Sequence, residues 1–185
     1  MVHSNTELLT DYWRARVPTF GCPSRASVDP THFIDLLPQV FILGRAAAGR
    51  YSFRLVGALL ADLHGRDLRE EDFTGLWAAS ERASLQSAME GSIRRRHPLI
   101  LTARGHAYGG ETIELEVMLA PLTGASGTVD RFIGLYQPLT PLTRLQGQSL
   151  AQLSLGRIGL TAGAGLPMSE APRLRLAALD GRLIA

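Results

Sequence analysis

The sequence predicts an α+β fold built on an antiparallel sheet. Three observations point there. Two strand-length runs lie close together within residues 39–56, joined by a turn around Gly49. Three more strand-length runs follow at 99–108, 112–121 and 130–139. Between the two groups lie only helical patterns, the longest at 76–97. The strands are grouped rather than alternated singly with helices, which separates this chain from the parallel α/β class.

Each element has its own signal. In "NTELLTDYWRAR" (5–16), Leu8, Leu9, Tyr12 and Trp13 recur at helical spacing after Asn5 or Thr6 as cap, and Pro18 stops the helix. The stretch 18–30 carries prolines and a glycine and reads as a linker. "DPTHFIDLLP" predicts a short helix with Asp29 as N-cap and Pro30 in its first turn. "QVFILG" (39–44) is a continuous apolar run of strand length. In "YSFRLV" (51–56), Tyr51, Phe53 and Leu55 alternate with Ser52, Arg54 and Val56. Together the two runs form a hairpin. "ALLADLH" (58–64) is too short to be helical alone and must pack on something.

The long helix candidate carries Leu85, Met89 and Ile93 on one stripe and ends in Arg94, Arg95, Arg96 and His97, where positive charge suits the helix dipole. Alternation is clearest at 112–121, with Ile113, Leu115, Val117 and Leu119 on one face. Residues 140–185 show no sustained period and read as a tail with short strands or a helix. The predicted organisation is an N-terminal helix and linker over 1–28, a domain over 29–140 and a tail over 141–185.

Composition narrows the function. The chain has 185 residues, 45% of them hydrophobic, enough for one domain with a real core. A formal charge of +2 demands neither a nucleic-acid nor a membrane partner. All 19 basic residues are arginine, so no lysine is available for a Schiff base or a P-loop. The single cysteine, Cys22, excludes an intrachain disulfide and a cysteine-built zinc site. The N-terminus has no apolar signal core and no run is long enough to span a membrane, so a soluble cytoplasmic protein is expected. Gly57 and Gly65 bracket a helix after a strand, as phosphate cradles do, but no Gly-x-Gly is present. They read as a strand-to-helix break and a C′ cap.

The ordered set Asp29-Pro30, Leu37-Pro38, Arg54-Leu55-Val56-Gly57 and Gly65-Arg66-Asp67-Leu68 resembles a PAS-like family widespread in alphaproteobacteria. The resemblance covers about residues 8–140; Ala58 stands where that family prefers threonine, and Glu70 or Glu71 near a common glycine. It implies a five-stranded antiparallel sheet with helices over one face. It also implies a sensory or interaction module of bacterial signal transduction, not an enzyme. Expected partners are a second copy of the chain and a signalling protein such as a histidine kinase or response regulator.

A cavity between sheet and helices would be lined by Phe53, Leu55, Leu63, Trp77, Leu85, Met89 and Leu115, with His64, Arg66 and Tyr136 as its polar groups. A packed dry core is the plainer alternative. No cofactor is called for. His64 and His97 are the histidines weighed against haem ligation, and a LOV-type flavin segment built on Asn-Cys-Arg is absent. A dedicated sensor of haem, flavin or a nucleotide second messenger stays open as the rival reading. Glu114 and Glu116 share a strand face and are read as cross-strand partners of Arg54, Arg104 or His106 rather than catalytic acids. The apolar residues of the first helix, Leu8, Leu9, Tyr12 and Trp13, are assigned to a homodimer interface.

Overall fold

The computed structural model describes residues 2–47 and 49–160. Six antiparallel strands form one sheet: β1 (Val40–Ala47), β2 (Arg50–Val56), β3 (Leu99–Ala107), β4 (Thr112–Thr123), β5 (Val129–Pro138) and β6 (Leu150–Leu160). Their spatial order is β2-β1-β5-β4-β3-β6. The α-helices are α1 (Ser4–Arg14), α2 (Ala58–His64) and α3 (Arg82–Arg95). A 3₁₀ segment at Pro30–Gln39 follows the predicted cap, with Asp29 accepting from the Thr31 N–H.

The sheet has six strands where five were expected. The sixth comes from the stretch beyond residue 140, read as tail. Its Leu150, Leu153 and Leu155 pair with Ala107, Gly105 and Ala103 of β3. The irregular pattern of this strand has a physical reason. It lies at the sheet edge, where much of it faces solvent and, among its described side chains, only Leu150 and Leu153 are fully covered. The second half of the predicted tail, 161–185, lies outside the described residues.

Period-two alternation sends the residues of β1, β4 and β5 to two separate cores. Phe41 and Leu43 of β1 join one, with Phe53, Leu115, Val117 and Tyr136, under α2 and α3. Val40 and Ile42 join the other, with Met118, Ala120, Ile133 and Leu135. That second face is covered by α1 and the 30–39 segment, through Leu9, Trp13, Phe33 and Leu36. Both faces of the sheet are therefore buried, and the N-terminal helix belongs to the domain.

Two glycines set the geometry of α2. Gly57 is its N-cap, with its N–H on the Val40 carbonyl at 2.9 Å. A Cβ there would lie 2.3 Å from the Pro38 carbonyl oxygen, so only glycine lets the hairpin end pass under Leu37-Pro38. Gly65 closes the helix at φ +63°, the left-handed cap its position predicted. The long helix starts later than its sequence pattern indicates. Trp77 and Ala78 are extended, and the Ala78 N–H donates to the Leu153 carbonyl at 2.8 Å. Edge pairing with β6 thus holds off the α-helix until Arg82, after one 3₁₀ turn at Ala79–Glu81.

Candidate functional site

Beneath α2 lies the densest group of candidate residues. Phe53, Trp77, Met89, Leu115 and Tyr136 are buried in one cluster, with Leu63 and Leu85 beside them. Phe41 sits 5.6 Å from Phe53, 5.7 Å from Phe73 and 6.4 Å from Tyr136, centroid to centroid. Phe73 in turn lies 5.8 Å from Trp77. Most of these contacts are edge-to-face, the arrangement aromatic quadrupoles prefer.

His64 enters this apolar setting as the last residue of α2. Its Nε2 lies 3.2 Å from the Tyr136 hydroxyl. Burial, seconded by the charge of Arg66, brings its pKa down from 6.5 to about 4, against the opposing effect of a hydrogen bond to the Leu150 backbone. A backbone partner that favours the imidazolium is a carbonyl, so the ring donates there. The neutral ring has one N–H, which leaves Nε2 to accept from Tyr136. Burial raises the Tyr136 phenol far above its ordinary range. Both groups are neutral at physiological pH. Their pair holds the α2 end, β5 and the start of β6 together without any charge.

The Trp77 indole Nε1, a buried donor in the same core, lacks a partner among the described residues, as does the buried hydroxyl of Ser52, which alternates with Tyr51 and Phe53 along β2. Buried polar atoms are normally satisfied, so the Trp77 Nε1 is the polar loose end of the cluster.

Two candidates fall outside it. Leu55 is 43% exposed. The β1–β2 ladder shifts between Ile42–Leu55 and Leu43–Phe53, which leaves Arg54 as an extra residue. Such a bulge reverses the alternation, so Leu55 turns outward and Val56 packs on the core instead. Arg66 is also at the surface, paired with Glu71. It acts on the site only by its charge.

Leu9, Tyr12 and Trp13 are buried against the protein's own sheet, not offered to a second subunit. The Trp13 indole donates to the Pro121 carbonyl at 2.8 Å, and Tyr12 bonds to the Asp29 backbone through its hydroxyl. Only Leu8 of the four faces outward. The assignment of these residues to a dimer contact is corrected accordingly: the sheet's second apolar face needed a cover, and α1 supplies it.

Among the paired carboxylates, Glu114 meets Arg104 at 2.7 Å across β3 and β4, as expected. Arg54 pairs with Glu70, and His106 bonds to Ser154. Glu116 is different. It is buried and accepts from the His3 N–H at 3.0 Å, while Asn5 donates to Gln137 at 2.9 Å. These bonds latch the start of α1 to the sheet. The signal was present in the sequence: Met118, Ala120 and Leu122 continue the Glu116 face at period two, an apolar face that a helix covers.

A sequence profile of the PAS domain family matches residues 1–137 of the chain. The chain belongs to the PAS domain family. No curated protein matches it. Solved structures similar to this PAS domain include a Rhodobacter sphaeroides LOV protein at 13% identity, covering 78% of this chain and 72% of that one with a TM-score of 0.45. The light-state LOV domain of the blue-light photoreceptor aureochrome1 is 11% identical, covering 65% of this chain and 94% of that one, TM-score 0.45. No helix among the described residues is long and apolar enough to cross a membrane.

Proposed function

We propose that this PAS domain is a non-enzymatic sensory and interaction module that signals through protein contacts. One observation carries the reading. The space between the sheet and α2–α3 is occupied by Phe41, Phe53, Phe73, Trp77 and Tyr136 in mutual ring contact, all fully buried. Interiors packed in this way transmit shifts of one element to another rather than absorbing them. The partner is a signalling protein of the histidine-kinase or response-regulator type, and the setting cytoplasmic. A second copy of the chain is a further partner, for which α1 leaves Leu8 alone as an outward contact.

A second reading, a small-ligand sensor, is favoured by the unpartnered Trp77 Nε1, which a hydrogen-bonding ligand would satisfy. Native mass spectrometry of the purified protein separates the two. The contact reading expects the bare chain mass and its multiples, with no absorption above about 300 nm. A stoichiometric bound small molecule overturns it in favour of the sensor.

A further inference from the structure

The linker after α1 folds back over the end of α3 and forms one wall of a cleft of about 620 Å³. Arg16, Phe20, Ser24, Arg96 and Thr123 are among its lining residues. The wall is fixed to the sheet. The Thr123 N–H donates to the Pro23 carbonyl at 2.9 Å, and the Thr123 hydroxyl to the Cys22 carbonyl at 3.2 Å.

The cleft has two guanidinium groups and no carboxylate among its lining residues. Arg16 is held in place, its guanidinium 3.6 Å over the Tyr12 ring and donating to the Tyr12 carbonyl at 3.3 Å. The charge of Arg16 also reaches Asp29, a carboxylate outside the cleft whose own bonds go to Thr31. Arg96 is exposed and has no acidic partner among the described residues. It sits in the left-handed cap of α3 at φ +55°, a conformation glycine would adopt more easily. Arg94 and Arg95 precede it, so positive potential extends beyond the cleft. At the rim stands Phe20, 88% exposed, between Thr19 and Gly21. A ring so exposed beside two cations that form no ion pair among the described residues fits a partner that brings both carboxylates and an apolar side chain.

We propose that this cleft docks a short acidic peptide segment of a partner protein, its carboxylates on Arg16 and Arg96 and an apolar side chain against Phe20. The chain's own 161–185 segment does not supply that chemistry, since it carries three arginines against two acids. The proposal deepens the interaction-module reading and rests on it.

The test is binding of a dye-labelled peptide of four Glu or Asp residues around one Leu, followed by fluorescence polarisation on the full chain. Wild type should bind, weakening as salt rises from about 0.05 to 0.5 M. Arg16→Gln and Arg96→Gly should each weaken binding about tenfold, and Phe20→Ser should weaken it at unchanged charge. Arg96→Gly is the decisive variant because it relaxes the helix cap, so its loss of binding is not a loss of fold. No binding by wild type, or equal binding by all variants, overturns the proposal. Equal displacement by inorganic phosphate also overturns it, making the cleft a small-anion site. If a chain carrying Arg16→Gln, Arg96→Gly and Phe20→Ser together still binds a purified kinase or regulator that wild type binds, the cleft is wrong and the general reading stands.

Discussion

The Nε2 of His64 and the hydroxyl of Tyr136 meet at 3.2 Å inside the core, joining the end of α2 to β5. The pair couples folding to pH. In the folded state His64 protonates only near pH 4; unfolded, near 6.5. Above about 6.5 both states are neutral at this residue and it confers no pH dependence. Between 6.5 and 4 the unfolded chain binds the extra proton, so stability falls as pH falls. Below about 4 the loss is complete, of order 3 kcal/mol. Urea unfolding at a series of pH values should show this slope in wild type and a flatter one in His64→Gln. Identical slopes in the two proteins would show that His64 is not buried neutral.

Gly57 and the Leu37-Pro38 carbonyls make the second prediction. The φ of Gly57 is −69°, which alanine adopts freely, so a substitution there probes space alone. With the new Cβ 2.3 Å from a backbone oxygen, α2 must shift away from the 30–39 segment. Gly57→Ala should cost about 1–3 kcal/mol, the range for forced overpacking. A thermal melt within a degree of wild type would contradict the close approach.

The same pair explains how far the sequence could be read. Leu37-Pro38 and Gly57 stood out as ordered motifs, and they are neighbours in space. Local signals of this kind were legible: the Asp29 cap, the Gly65 cap and the alternation of β4. What was hidden depended on partners distant in the chain. The bulge at Arg54 arises from pairing with β1 and turned Leu55 out of the predicted lining. The extended Trp77 and Ala78 depend on β6, which itself lacked a pattern because it is an edge strand. The N-terminal helix showed its apolar face but not what that face would cover. Of the polar groups named for the cavity, His64 and Tyr136 lie buried against each other, whereas Arg66 went to a surface ion pair.

Cys22 sits in the second core, and burial raises its thiol pKa to about 11 even though Arg96 pulls the other way. The thiolate is the reacting form, so the native protein should be nearly inert to a maleimide at neutral pH. Mild urea that opens the linker should restore labelling. Rapid stoichiometric labelling of the native chain would show that Cys22 is not buried in the second core.

Removal of residues 1–17 gives the sharpest contrast between two roles for α1. A helix that serves only a dimer contact would leave behind a folded, soluble monomer. A helix that covers Met118, Ala120, Ile133 and Leu135 leaves an apolar sheet face in water. The second outcome is expected here, seen as strong binding of a hydrophobic dye and concentration-dependent aggregation. Trp13→Phe refines the point. It keeps most of the ring but leaves the buried Pro121 carbonyl without its donor, a loss of about 1–3 kcal/mol. Leu8→Asp, on the outward side, should leave stability unchanged within about 0.5 kcal/mol. If the truncated chain instead melts cooperatively near the wild-type temperature, the sheet's second face is covered by something other than α1.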